Sequence, residues 1–138
     1  MMDVTYCVNR PITPEQFVAL LEQTTLGGRR PTANRECMAG MLEHADLLIS
    51  AWVGDTLVGL ARSVTDFHFC CYLSELAVSE RIQASGIGKE LIRQTFANLQ
   101  PTCTLTLLSA PQATEYYPKI GFTQHGSAWV MANANELK

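Results

Sequence analysis

The sequence predicts a mixed α/β (α+β) domain, because strand-like and helix-like segments follow one another along its 138 residues. Residues 47–65 alternate apolar residues about a Gly54-Asp55 turn, which is typical of a β-hairpin. A second apolar run, 70–78, has the length of a buried strand and leads into a helix-like pattern. We therefore expect a sheet covered by helices, within one domain spanning residues 1–138.

The remaining elements follow from local signals. A strand is expected at residues 4–8, and the first helix is expected to begin at Thr13 or Pro14. Thr13 is placed to be its N-cap, and Gln16 is placed to complete a capping box. A second helix is expected over 33–44. Two later strands are expected, at 104–108 and 127–132.

Composition excludes several classes of function. A net charge of −3, a pI near 5.5 and scattered basic residues argue against a nucleic-acid partner. No apolar run reaches the roughly 18 residues that span a membrane, and the N-terminus lacks a signal-peptide pattern. Five cysteines without C-x-x-C spacing indicate a reducing cytoplasm. Neither cysteine nor histidine shows metal-ligand spacing, so no metal is expected.

The segment after the 70–78 strand predicts an anion site. It is a turn of small residues, 83–88, that opens a helix, where backbone N–H groups and the helix dipole favour a negative charge. Gly86 and Gly88 leave room for a phosphate near the backbone. The spacing matches neither the dinucleotide G-x-G-x-x-G motif nor the P-loop. We therefore expect a cofactor that carries a pyrophosphate.

Two blocks resemble motifs of the GCN5-related N-acetyltransferases, the GNAT family. Gln83, Gly86 and Gly88 match a Q/R-x-x-G-x-G/A loop, and residues 113–122, ATEYYPKIGF, match A-x-x-x-Y-x-K-x-G-F. The resemblance implies a central, mostly antiparallel mixed sheet of six to seven strands. Helices would cover both faces, and a central pair of strands would splay apart. It also implies acetyl-CoA as acetyl donor.

The resemblance assigns roles to residues. Tyr117 would be the acid that protonates the departing thiolate, and Glu75 would be the base that deprotonates the amine. The strand edge would pair with the pantetheine arm through its backbone, and the following loop would hold the pyrophosphate. The cofactor-binding residues would be Leu76, Ala77, Val78, Gln83, Ala84, Ser85, Gly86, Ile87, Gly88 and Lys89.

The chain departs from the family pattern beside the pyrophosphate. Glu80 stands where the family usually has proline, and Ala84 and Ser85 stand where glycine and a basic residue are common. Losing that basic residue weakens phosphate attraction, which Lys89 and Arg93 could offset. We therefore expect functional but not unusually tight binding of acetyl-CoA.

The acceptor site is less defined. The family builds it from the first helical region, the central strands and the C-terminal end, which indicates Arg29, Arg30, Tyr72 and Trp129 as substrate-binding residues. The expected activity is direct transfer of an acetyl group to a primary amine of a small molecule, in a ternary complex. A protein or peptide amine, a non-catalytic acyl-CoA-binding module and a homodimer are left open.

Overall fold

The computed structural model describes residues 3–82 and 86–138. Within these residues it contains five strands and four α-helices. The strands are β1 (Thr5–Val8), β2 (Leu47–Val53), β3 (Thr56–Thr65), β4 (Cys70–Val78) and β5 (Thr104–Thr106); the helices are α1 (Pro14–Glu22), α2 (Arg35–Glu43), α3 (Ile87–Ala97) and α4 (Tyr116–Lys119). None of these helices is long and apolar enough to cross a membrane.

The strands form one mixed sheet in the order β1-β2-β3-β4-β5. Each of the first four strands is antiparallel to its neighbour, and β5 runs parallel to β4 after a crossover through α3. A parallel neighbour needs such a crossover, whereas hairpins suffice for the antiparallel strands. The predicted α/β class and mixed sheet are confirmed, but the described residues contain five strands and not six or seven.

The strand predicted at 127–132 does not form in the described structure. Its apolar side chains lie in solvent, with Trp129 92% exposed and Val130 79% exposed. An apolar run becomes a strand only where it finds a neighbour for its backbone groups, and composition alone cannot supply one. This segment has no ladder partner within the described chain.

The start of α1 follows the predicted capping chemistry. The Thr13 hydroxyl accepts a hydrogen bond from the Gln16 backbone N–H at 3.1 Å, and the Gln16 side chain accepts one from the Thr13 backbone N–H at 2.9 Å. Pro14 occupies the first helical turn, where its missing N–H costs nothing. The capping box is therefore confirmed, and it fixes where the chain leaves β1 for the helical layer.

Two apolar layers hold the helices on opposite faces of the sheet. Helices α1 and α2 pack over a cluster that includes Phe17 and Trp52. Helix α3 packs on the other face, over a cluster that includes Ile49 and Leu91. This second layer fixes the position of α3 against the centre of the sheet, and so fixes where its N-terminus lies relative to β4.

We predict that Leu91→Ala lowers the free energy of unfolding by about 2–5 kcal/mol, because it removes a fully buried side chain that holds α3 on the sheet. Urea titration followed by circular dichroism measures this. Phe96→Ala on the same helix is the matched control, because Phe96 is 46% exposed and should cost less than Leu91. Equal losses in the two variants would contradict the assigned packing.

Candidate functional site

A cleft opens where β4 and β5 separate. The two strands pair only from Cys70 with Thr104 to Tyr72 with Thr106. Past that point β4 continues to Val78 along β3, while the chain after β5 moves away. The splayed pair expected from the sequence is therefore present. The gap holds a cleft of about 70 Å³, lined by Thr25, Leu26, Arg30, Leu73, Ser74, Leu76, Leu107, Leu108, Ala110, Ala113 and Tyr117.

A β-bulge at Ser74 shapes the β4 side of this cleft. Ser63 of β3 pairs with Leu73, and the preceding residue Arg62 pairs with Glu75, so Ser74 is the extra residue. Residues two apart normally share a face of a strand. Here Leu73 packs in the α3 layer, whereas Glu75 contacts groups from the α1 and α2 side. The bulge therefore turns Glu75 away from the apolar layer under α3.

Glu75 lies at the centre of a buried ion-pair cluster. Its Oε1 accepts a hydrogen bond from Arg62 Nε, and its Oε2 accepts bonds from Arg30 Nε at 2.6 Å and from the Ser74 hydroxyl at 2.8 Å. Arg30 also donates to the backbone carbonyl of Ser74 at 2.8 Å, and Arg62 donates to the carbonyl of Met41. Since Glu75 is 1% exposed, these bonds replace its hydration.

The surroundings of Glu75 keep it ionised. Burial by itself raises the pKa of a carboxyl group, but the hydrogen bonds and charges of Arg62 and Arg30 outweigh it. The pKa of Glu75 therefore lies below its ordinary value of 4.5. A carboxylate with a lowered pKa and occupied oxygens is a weak base. The base role of Glu75 stays a prediction, and these contacts also suit a residue that positions the two arginines.

The two adjacent tyrosines lie at different ends of the site. Tyr117 lines the cleft, and its ring packs edge-on against Phe122 at 5.4 Å between centroids. The Tyr116 hydroxyl instead lies beside Gly88, where an added Cβ would approach it to 3.0 Å. The rings contact each other edge-on at 5.3 Å. Only Tyr117 is therefore placed to reach a group bound in the cleft.

Tyr117 stays protonated at neutral pH. Its partial burial raises the pKa of the phenol above the ordinary 10.0, and the neighbouring Tyr116 adds to this shift. A neutral phenol is a hydrogen-bond donor and can supply a proton to a more basic atom. Its state therefore suits the predicted role of acid.

The N-terminus of α3 lies at the end of β4, where Val78 is beside Gly88, the second residue of the helix. Gly86 is the N-cap, with φ +80°, and among the described residues no side chain caps the first turn of this eleven-residue helix. A left-handed φ suits glycine, and uncapped N–H groups suit a phosphate. Ile87 is buried in the core, so it can contribute only backbone, and Lys89 is exposed. The predicted cofactor-binding residues Gln83, Ala84 and Ser85 lie outside the described residues.

The structure brings some of the predicted site residues together and separates others. Leu76, Arg30 and Tyr117 line the cleft, with Glu75 directly behind Arg30. Tyr72 and Trp129 are not among its lining residues, and Arg29 contributes a backbone carbonyl to Arg30. No group of three metal-ligating side chains occurs in the part of the chain that is described.

Sequence reasoning placed Arg62 only in the acceptor region and gave no role to Tyr116 or to a bulge at Ser74. Arg62 is an arginine within an otherwise apolar strand, and such a residue signals a buried partner. Tyr116 belongs to the same motif as Tyr117, but the sequence does not tell which of the two hydroxyl groups faces Gly88. The bulge at Ser74 leaves no signal in the sequence, because no glycine marks it.

A larger groove, of about 560 Å³, lies on another part of the surface. Its lining includes Arg10, Glu43 and Asp46, from the β1–α1 connection and the end of α2. Neither Tyr117 nor the start of α3 reaches it. The smaller cleft, and not this groove, therefore contains the predicted acid.

Comparison with known proteins agrees with this geometry. The family model described as acetyltransferase (GNAT) domain matches residues 18–135. The uncharacterized N-acetyltransferase ycf52 of Pyropia yezoensis is 32% identical over 68 residues, which cover 48% of this chain and 39% of that protein. The ycf52 protein of Porphyra purpurea is 29% identical over 59% of this chain and 50% of its own length. The chain thus spans about half or less of these relatives.

Solved structures share the fold. A probable acetyltransferase from Staphylococcus aureus superposes with a TM-score of 0.76 at 22% identity, over 96% of this chain and 98% of that one. A GNAT family acetyltransferase from Streptococcus pneumoniae gives 0.73 at 21% identity, over 95% and 100%. At such identities the likeness shows the fold alone.

We predict that Glu75→Gln lowers the free energy of unfolding by about 3–5 kcal/mol near pH 7, because two buried guanidinium groups lose their shared anion. The folded pKa of Glu75 is depressed, so its stabilisation is complete above pH 4.5 and is lost as the pH falls further. The difference between the two proteins should therefore shrink in acid. Urea titrations across this pH range measure it.

The matched control for this experiment is Glu15→Gln. Glu15 pairs with Arg35 at 3.0 Å, but both side chains are exposed, so its loss should change stability by less than about 1 kcal/mol. If the Glu75→Gln protein were as stable as the Glu15→Gln protein, the ion-pair cluster would not contribute to the stability of the fold as predicted.

Proposed function

The chain belongs to the GNAT acetyltransferase family, and we propose that it transfers an acetyl group from acetyl-CoA to a primary amine of a small molecule. One observation carries this proposal: Tyr117 and Leu76 line a cleft between splayed strands, and Val78, two residues after Leu76 on β4, lies beside Gly88 in the first turn of α3. The end of β4 thus links the proposed acid to the proposed anion site.

The described residues fit acetyl-CoA. Leu76 lies on β4 beyond its pairing with β5 and lines the cleft, where an extended arm can lie along the strand. Gly86 and Gly88 begin α3 without a side-chain cap, which suits a pyrophosphate. When bound, acetyl-CoA supplies a thioester whose acetyl carbon is open to attack by an amine.

Tyr117 is proposed to donate its hydroxyl proton to the sulfur atom that leaves as a thiolate. In the balanced transfer, a C–N bond forms, the C–S bond breaks, and the amine nitrogen loses a proton to solvent. The raised pKa of Tyr117 keeps its Oη protonated until a thiolate develops beside it. Backbone N–H groups near Leu76 are proposed to orient the carbonyl, as an oxyanion site does.

Glu75 is proposed to position Arg30 and not to serve as the base. Its two oxygens accept bonds from Arg30, Arg62 and Ser74, so an incoming amine would have to displace one of them. The carboxylate also holds the Arg30 guanidinium at the edge of the cleft. The homodimer that the sequence leaves open stays a prediction, for which the exposed Trp129 is the support and light scattering is the check.

We predict that Tyr117→Phe lowers kcat by about 10²- to 10⁴-fold while the dissociation constant of acetyl-CoA changes little, because only the proton donor is lost. Mass-spectrometric turnover against a pooled amine panel gives kcat, and calorimetry gives the dissociation constant. Tyr6→Phe, on the distant strand β1, is the control and should keep full turnover.

The same experiment separates the proposal from a non-catalytic acyl-CoA-binding module. Such a module would bind acetyl-CoA, acetylate no amine and be indifferent to Tyr117. Turnover in the Tyr117→Phe protein equal to that of the wild type would remove Tyr117 from the mechanism.

We predict that Gly86→Ala weakens acetyl-CoA binding by about tenfold, because an alanine at φ +80° disturbs the turn that presents the N–H groups of α3. Calorimetry measures the dissociation constant. Gly54→Ala is the matched control: Gly54 also has positive φ, +59°, and open space around it, but it lies in the β2–β3 turn. Equal weakening in both variants would mean that strain, and not the site, is responsible.

A further inference from the structure

The ion-pair cluster beside the cleft carries an excess positive charge. Arg30 and Arg62 both pair with Glu75, so two guanidinium groups share one carboxylate. Over residues 3–82 and 86–138, no other acidic side chain lies within ion-pair distance of either arginine. Glu75 and Arg62 are buried and Arg30 is 19% exposed at its side chain. Charges so poorly hydrated favour a second anion nearby.

Arg30 is the member of the cluster that reaches the cleft. It lines the same cavity as Tyr117. Among the described residues it donates to Glu75 through Nε, to the Ser74 carbonyl through one terminal nitrogen and to the Arg29 carbonyl through the other. A guanidinium has five N–H donors, so two of them have no partner among residues 3–82 and 86–138. A carboxylate or phosphate oxygen matches that geometry best.

The cleft lacks the groups that a polycation needs. Its described lining contains one charged residue, Arg30, and no aspartate or glutamate. A polyamine or an amino sugar with several ammonium groups would meet a positive charge there without a partner for its own. The small volume, about 70 Å³, also keeps any group bound by Arg30 close to the atoms that Tyr117 reaches.

We propose that the acceptor is an amine that bears a carboxylate or phosphate group a few bonds from its nitrogen, and that Arg30 binds this anion. Glu75 holds the Arg30 guanidinium in place, and Arg62 holds Glu75. The proposal rests on the proposed acetyltransferase function and adds the chemical class of the acceptor. It makes Arg30 a specificity-determining residue, distinct from the donor machinery at Tyr117 and Gly86.

Matched acceptor pairs test this class directly in the wild-type protein. Phenylalanine is compared with phenethylamine and with phenylalaninamide, lysine with cadaverine, and phosphoethanolamine with ethanolamine. We expect kcat/KM to favour the anionic member by about 10- to 100-fold, the effect of hydrogen bonds to a charged group. The phosphoethanolamine pair distinguishes phosphate from carboxylate recognition. Equal use of both members, or preference for the uncharged one, overturns the proposal.

The Arg30→Gln variant locates the preference. It should reduce kcat/KM for the anionic acceptor by about tenfold or more beyond any reduction for the uncharged one, which collapses the ratio. Arg35→Gln is the matched control, because Arg35 is an exposed arginine paired with Glu15 on α1, and it should keep the ratio. If Arg30→Gln does not fold, the wild-type ratio of the two kcat/KM values and the ratio in Arg30→Lys still test the proposal. Lysine keeps the charge of Arg30 but loses its planar contact with the anion, so the ratio should fall in Arg30→Lys.

A binding measurement separates this inference from the proposed function. Calorimetry compares N-acetylphenylalanine with its amide on the protein saturated with CoA. Tighter binding of the acid that depends on Arg30 supports the inference whether or not turnover is seen. Absence of such a difference overturns it. If uncharged amines are acetylated but the acid and the amide bind equally, the acetyltransferase proposal holds and the proposed acceptor class is wrong. If no amine is acetylated at all, the acetyltransferase proposal is wrong.

Discussion

The carboxylate of Glu75 joins more of the molecule than any other single described group. It accepts hydrogen bonds from Arg30, which follows α1, and from Arg62 on β3, while Arg62 also reaches the end of α2 through the Met41 carbonyl. The central strand and the first helical layer are thus tied to one buried charge. Because a buried carboxylate is costly without partners, these segments must assemble together or not at all.

The same interaction closes the irregular part of the sheet. The bulge at Ser74 takes a carbonyl out of the ladder, and Arg30 donates to that carbonyl. Next to it, β4 and β5 stop pairing and the cleft begins. The strand geometry that creates room for a donor and the charge that faces an acceptor therefore have one structural origin. Tyr117 approaches from the opposite wall, on a helix that has no part in the cluster.

Sequence patterns predicted the parts of the structure that depend on local chemistry. The Thr13 cap, the hairpin turn at Gly54 and the helix after Gly86 each rest on residue preferences within a few positions. The parts that could not be predicted involve long-range partners. The strand expected at 127–132 lacks a neighbour among the described residues, and the ion pair of Glu75 with Arg30 joins residues 45 positions apart, which no local pattern reveals. Which of two tyrosines faces Gly88 depends likewise on how α4 packs.

The bulge in β4 has a consequence for how this chain tolerates insertions and deletions. Side chains of a regular strand alternate between faces, so a strand of the present length without the bulge would put Glu75 on the same face as Leu73. The carboxylate would then enter the layer of Leu73 and Leu91, and the two arginines would be left without it. A strand one residue shorter, without Ser74, would place Leu73 directly before Glu75 and keep the two on opposite faces with no bulge. Related chains can therefore keep this arrangement of charges either with a bulge here or with one residue fewer, but not with a regular strand of the present length.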